Sequence, residues 1–141
     1  MQYPDLSPYV HEPRHARIPT VSVGWLDRGS DFATGNVHHH IPALLWQCCR
    51  RVVVVKRGRR NCPLCETRVA AEFQGETLIL GGGEIRVFAA EIAYAAPDLI
   101  FHFVTAHHYS PPPAFIEALR QQPVAWSGEY ASLLGTAVAM E

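Results

Sequence analysis

The sequence predicts an α+β domain: a small antiparallel sheet with two or three packed helices, stapled by one zinc ion. Three observations point there. The chain has 141 residues, 48% hydrophobic and 18% charged, which suits one domain with a real core. Short β-type runs alternate with short helical periodicities. Eleven prolines and ten glycines interrupt the chain too often for a long helical bundle. Residues 1–141 read as a single domain, with no internal repeat or boundary.

In chain order, Pro4, Pro8, Pro13 and Pro19 make residues 1–19 an irregular, extended N-terminal wrap. Val21-Ser22-Val23-Gly24-Trp25 alternates and reads as a strand, anchored by a partly buried Trp25. Residues 27–36 are rich in turn formers, and Asp27 is placed to cap the turn at 27–30. Ile41, Leu44, Leu45, Cys48 and Val52 fall at helical offsets after Pro42, so 41–51 reads as a helix. The β-branched run Val52–Val55 reads as a strand or buried extended segment. Residues 68–73, 77–80 and 84–89 read as strands, with Gly81-Gly82-Gly83 as the hairpin connection between the last two. Pro97 opens a helix over 97–109, and Ser110 is the expected cap of the next, which buries Phe115, Ile116 and Leu119. Residues 130–141 are small and apolar and receive no assignment.

Twelve basic residues against thirteen acidic ones give a net charge of −1, which argues against a surface built to coat nucleic acid or an anionic membrane. No apolar run is long enough to span a bilayer, and Met1–Asp5 lacks the features of a signal peptide. The expectation is a cytoplasmic protein without a membrane partner. Cys48, Cys49, Cys62 and Cys65 are then reduced thiols or metal ligands.

Cys62-Pro63-Leu64-Cys65 is the sharpest motif. Two cysteines at this spacing can put both sulfurs on one metal, while the tight turn aims backbone N–H groups at the thiolates. Tetrahedral zinc needs two more donors. His102 and His107 supply them best, with four residues between them. His108 is an alternative to His107. The expected cofactor is one Zn2+ per chain on Cys62, Cys65, His102 and His107, with a structural role. The competing reading is a thiol oxidoreductase, because Val52–Val55, a loop and CPLC resemble the strand–loop–CPxC entry of glutaredoxins, where a helix N-terminus activates the first cysteine. Against it, the loop 56–61 is long and the residues after Cys65 read as strands.

His11-Glu12-Pro13-Arg14-His15 matches HExxH, but Pro13 opposes the helix that a zinc protease needs. His38-His39-His40 reads as a solvated entry to the helix, and Cys48 as a buried thiol. Six of the twelve basic residues lie in 50–60: Arg50, Arg51, Lys56, Arg57, Arg59 and Arg60. Lys56, Arg57, Arg59 and Arg60 are the candidate contacts for nucleic acid or an acidic partner, without an aromatic platform in the segment itself. Near-neutral net charge makes any nucleic-acid binding weak or absent. Gly81-Gly82-Gly83 lacks the Lys-Ser/Thr of a phosphate loop.

Tyr3-Pro4-Asp5-Leu6-Ser7-Pro8-Tyr9, Gly24-Trp25-Leu26-Asp27, Cys62-Pro63-Leu64-Cys65, Glu84-Ile85-Arg86-Val87 and His102-Phe103-Val104-Thr105-Ala106-His107-His108-Tyr109 together resemble a family of small uncharacterised bacterial proteins, a domain of unknown function. The likeness covers roughly residues 3–120. Ser30 and the apolar Val52–Val55 depart from the family pattern. The resemblance implies a metal site and names no activity. The expectation is therefore a zinc-binding protein of unknown role, more an interaction or accessory module than an enzyme, with a protein as its expected partner.

Overall fold

The computed structural model describes residues 3–10 and 16–138. The HExxH segment lies outside the described residues. The central sheet has three strands in the order β1 (Thr20–Ser22), β5 (Ala93–Pro97) and β4 (Glu84–Phe88). Strand β5 runs antiparallel to β4 and parallel to β1, with Thr20 opposite Ala93 and Glu84 opposite Pro97. The sheet is thus mixed rather than purely antiparallel. Every residue of β4 and β5 is buried, so these strands are covered on both faces. A separate hairpin pairs β2 (Ala70–Phe73) with β3 (Glu76–Ile79) through Gln74 and Gly75, both at positive φ. That backbone matches the twist of a two-residue hairpin turn.

Among the described residues the fold has four helices rather than two or three: α1 (His40–Cys49), α2 (Ile100–His107), α3 (Pro113–Gln121) and α4 (Gly128–Ala137). Helix α1 carries Pro42 in its first turn, buries Ile41, Leu45 and Cys48 on one face, and packs on α2, α3 and β4. Helix α3 buries Phe115 and Leu119, as its periodicity predicts; Ile116 is only half-buried. The N-cap of α3 is Pro112, not Ser110, whose N–H donates to the Ala33 carbonyl. No helix among the described residues is long and apolar enough to cross a membrane.

Several expectations need correction. The strand expected over 21–25 stops at Ser22, because Gly24 adopts φ +77°, where a Cβ would lie 3.0 Å from the Ile100 side chain. Val52–Val55 forms no strand: only Val53 bridges, to Glu84, and Val54 sits at φ 52°. Gly81–Gly83 is not a hairpin turn but a crossover between the two sheets. Pro97 ends β5 instead of opening a helix, so α2 starts at Ile100. Residues 128–137 are helical, with Ser127 accepting from the Tyr130 N–H at 3.1 Å.

Two buried polar clusters tie distant segments together. Glu84 accepts from Arg86 at 2.9 Å and from the Tyr9 hydroxyl at 2.8 Å, and the Arg86 guanidinium lies 4.8 Å from the Tyr9 ring centroid. Burial and the Glu84 carboxylate push the Tyr9 phenol up. Asp5 accepts from the Gly24 N–H and from the buried Tyr109 hydroxyl, fastening the N-terminal wrap. Tyr130 donates to the Arg86 carbonyl at 2.5 Å, which docks α4 on β4. Tyr130→Phe should therefore lower stability by about 1–3 kcal/mol, read as a reduced denaturant midpoint at unchanged slope.

Candidate metal centre

The turn that carries the cysteines is built by local hydrogen bonds. The Cys62 N–H donates to the Thr67 carbonyl at 2.9 Å, and the Glu66 N–H to the Cys62 carbonyl at 2.8 Å. Glu66 takes φ 60° to reverse the chain. The backbone N–H groups of Leu64 and Cys65 point at the Cys62 sulfur, and the Thr67 hydroxyl lies 3.0 Å from the Cys65 sulfur. These hydrogen bonds favour a thiolate at each sulfur, although at Cys62 burial outweighs them. Arg28, in the turn after Trp25, pairs with Glu66 at 2.8 Å across the surface of the turn.

Helix α2 supplies the imidazoles. His102 lies mid-helix and His107 is its last residue; His108 then turns left-handed at φ 57°, and the Tyr109 N–H returns to the Phe103 carbonyl. That closure keeps His107 over the cysteine turn and sends the exposed His108 away from it. The structure thus brings together Cys62, Cys65, His102 and His107, with all four donor atoms within 4.8 Å of one another.

The distances test whether these four donors fit one ion. Zinc bonds of about 2.3 Å to sulfur and about 2.0–2.1 Å to nitrogen, at tetrahedral angles, put sulfur and nitrogen about 3.5 Å apart and two nitrogens about 3.3 Å apart. The Cys62 sulfur lies 3.5 Å from His107 Nε2, and the Cys65 sulfur 3.5 Å from His102 Nε2. The two Nε2 atoms are 3.2 Å apart. The group could hold a tetrahedrally coordinated metal ion.

Electrostatics at the cluster favour the ligating forms at two of its members. Burial, and then His107, lowers the pKa of His102, which favours the neutral ring. The Thr67 hydroxyl leads a set of hydrogen bonds that lowers the Cys65 thiol. Burial raises Cys62, while the N–H groups of Cys65 and Leu64 pull it down. Cys48 and Cys49 are different: both are buried in the core, burial pushes Cys48 up to about 12, and Cys49 rises well above the ordinary thiol value. These are inert packing thiols.

His38, His39 and His40 are exposed, as a solvated entry to α1 requires, yet their donor atoms also lie within 4.8 Å of one another. Their rings stack against each other at 4.2–4.6 Å between centroids. Trp25 is half-buried and its indole N–H donates to the Ala95 carbonyl, which anchors the segment as expected. Asp27 accepts from the Arg28 N–H, and the Ser30 N–H donates to the Asp27 carbonyl. The turn is thus closed by the backbone as well as by the carboxylate. The glutaredoxin-like reading loses its central feature, because a loop and strand β2 follow Cys65 where that fold needs a helix.

The basic segment divides. Arg50 pairs with Glu76, and Arg51 donates to the Ala125 carbonyl, so both serve the fold. Lys56, Arg57 and Arg59 are exposed and Arg60 is half-buried, on a loop next to the cysteine turn. Arg59 donates to the Ile79 carbonyl, and Arg60 lies 3.7 Å from the Asp27 carboxylate. Thr67 and Glu66, which shape the cysteine turn, were not singled out from the sequence. Their signal was a hydroxyl two residues after the second cysteine, within reach of its sulfur.

No curated protein and no solved structure matches the chain. Residues 1–120 match the family described as Domain of unknown function (DUF7919).

Proposed function

We propose a structural zinc role for this chain, which belongs to the DUF7919 family. The metal is Zn2+, one per chain, held by Cys62, Cys65, His102 and His107, and the protein acts as an interaction or accessory module. The observation that carries this reading is the donor geometry: four protein ligands at tetrahedral spacings complete a coordination shell. Structural zinc sites are closed in this way, whereas catalytic ones keep a position for water or substrate. Sulfur donors favour zinc over magnesium or calcium. Bound zinc also silences Cys62 and Cys65 as redox groups, which separates this reading from a thiol oxidoreductase.

Native mass spectrometry should find one zinc per chain, and a metal-free, fully folded protein would end the proposal. Acid should release the metal, because the ligands must be deprotonated to bind. The His102 ring is held below its ordinary pKa of 6.5 by burial and His107, so the fold prefers it neutral. Its contribution to stability is complete above the unfolded value and is lost as pH falls through the lower folded one. Thermal midpoints should therefore fall as pH drops below about 6.5, together with zinc content.

A further inference from the structure

A cavity of about 470 Å³ opens beside the metal cluster, and none of the four metal-cluster residues lines it. That volume lies in the range of small-molecule sites. One wall is Tyr3 and Trp25, whose rings meet edge to face at 5.7 Å. The Trp25 ring is fixed by its bond to the Ala95 carbonyl. The basic loop is another part of the lining. The Lys56 and Arg60 N–H groups donate to the Gly82 and Gly81 carbonyls at 2.8 and 2.9 Å, so the loop is pinned at both ends. Val54 and Gly58, at φ 52° and 70°, bend it over the opening.

The floor is Gly81–Gly83 with Pro97–Leu99. The buried Asp98 carboxylate accepts the Gly81 N–H at 2.9 Å, and the Gly82 and Gly83 N–H groups point at it as well. A chain carboxylate thus fills the glycine nest, and the triple glycine does not cradle a ligand's phosphate. Glu84, the other acid at the floor, is engaged by Arg86 and Tyr9. Both acids are therefore directed inward. Lys56, Arg57, Arg59 and Arg60 are on the same lining as the two rings; Arg59 also donates to the Ile79 carbonyl and Arg60 lies 3.7 Å from the Asp27 carboxylate, so the loop brings a net positive charge to a cavity that also has aromatic lining. The aromatic platform absent from 50–60 itself is brought there by the N-terminal wrap and the segment after β1.

We propose that this cavity binds a small aromatic phosphate monoester of up to nucleotide size. Four cationic residues on one lining loop favour a phosphate, which carries more charge and more acceptor oxygens than a carboxylate. The ring pair offers stacking and edge contacts to a flat body. A loop already pinned in place loses little freedom on binding.

Phenyl phosphate is the probe, titrated into the 141-residue chain and followed by two-dimensional amide NMR. Saturable shifts are expected at the Trp25 indole and at the amides of 56–60 and 81–83. Phenol and inorganic phosphate, each carrying half of the chemistry, should bind about tenfold more weakly or less. Arg57→Glu, at an exposed position, should weaken phenyl phosphate by at least about tenfold, with the thermal midpoint unmoved. Absence of saturable shifts, shifts confined to another face, or phenol binding as well as phenyl phosphate would overturn the proposal. So would a single-stranded oligonucleotide that displaces the probe with steep salt dependence, since the loop would then serve nucleic acid. Zinc content is measured on the same samples, so failure here is distinguishable from failure of the metal reading.

Discussion

Cys62→Ala and Cys65→Ala are expected to leave the protein largely unfolded or insoluble. The two thiols lie on the turn before β2, and the two imidazoles on α2, after the whole sheet has been traced. One ion between them would close both sheets onto a single helix. The unfolded chain holds no such site, so binding energy becomes folding energy, on the order of 10 kcal/mol for structural zinc. A small domain has about 5–15 kcal/mol in total, so losing the ion removes most of it. His102→Ala and His107→Ala should behave alike. Cys48→Ala, at a thiol buried against α1's own core face, should cost only about 1–2 kcal/mol. Thermal melts with and without a strong chelator check the set. Equal midpoints after zinc has demonstrably left would show the site to be non-structural, and the redox reading of Cys62 and Cys65 would advance.

Gly81→Ala is the second substitution with a large expected effect. Gly81 sits at φ +104°, and an added Cβ would lie 2.1 Å from the Arg60 carbonyl oxygen. That neighbour is backbone and cannot rotate away. Relief requires moving the loop and breaking the bonds from Arg60 to Gly81 and from Gly81 to Asp98. Strain at this φ and a displaced loop together should cost about 3–5 kcal/mol. Gly75→Ala, also at positive φ but with open space around it, should cost less. Chemical denaturation of the two variants side by side measures the difference. A Gly81→Ala variant no worse than Gly75→Ala would mean that the loop is not seated on the glycine.

The metal cluster was legible because ligand chemistry restricts both residue type and spacing: CPLC and the two late histidines leave few other assignments. The choice of His107 over His108 was not legible, since it depends on where α2 unwinds. Helix α1 and strands β2, β3 and β4 follow from apolar period and turn residues. Strand β5 does not, because Ala93-Tyr94-Ala95-Ala96-Pro97 has low β-propensity. Its strand form is imposed by partners on both sides, where small residues let helices approach. The opposite case is Val52–Val55, with high propensity but a single bridge, from Val53 to Glu84. Gly81–Gly83 looked like a turn because nothing in sequence shows that Asp98 folds back onto it. Arg86 was hidden for the same reason: its pairing with Glu84 lies on one strand face, but Tyr9 comes from the other end of the chain.

The parallel pairing of β1 with β5 has a consequence for biosynthesis. A ribosome makes β1 long before Ala93 exists to receive it, and makes both cysteines long before either histidine. Until α2 emerges, the nascent chain carries an unmatched strand edge and a pair of thiols without their imidazoles. The β2–β3 and β4–β5 hairpins are local pairings, whereas β1–β5 spans most of the chain, and of the two hairpins β2–β3 is made first. The window between translation of Cys62 and translation of His107 is therefore when oxidation or edge-to-edge association competes with folding. Zinc supply during that window, rather than afterwards, should set the yield of soluble protein.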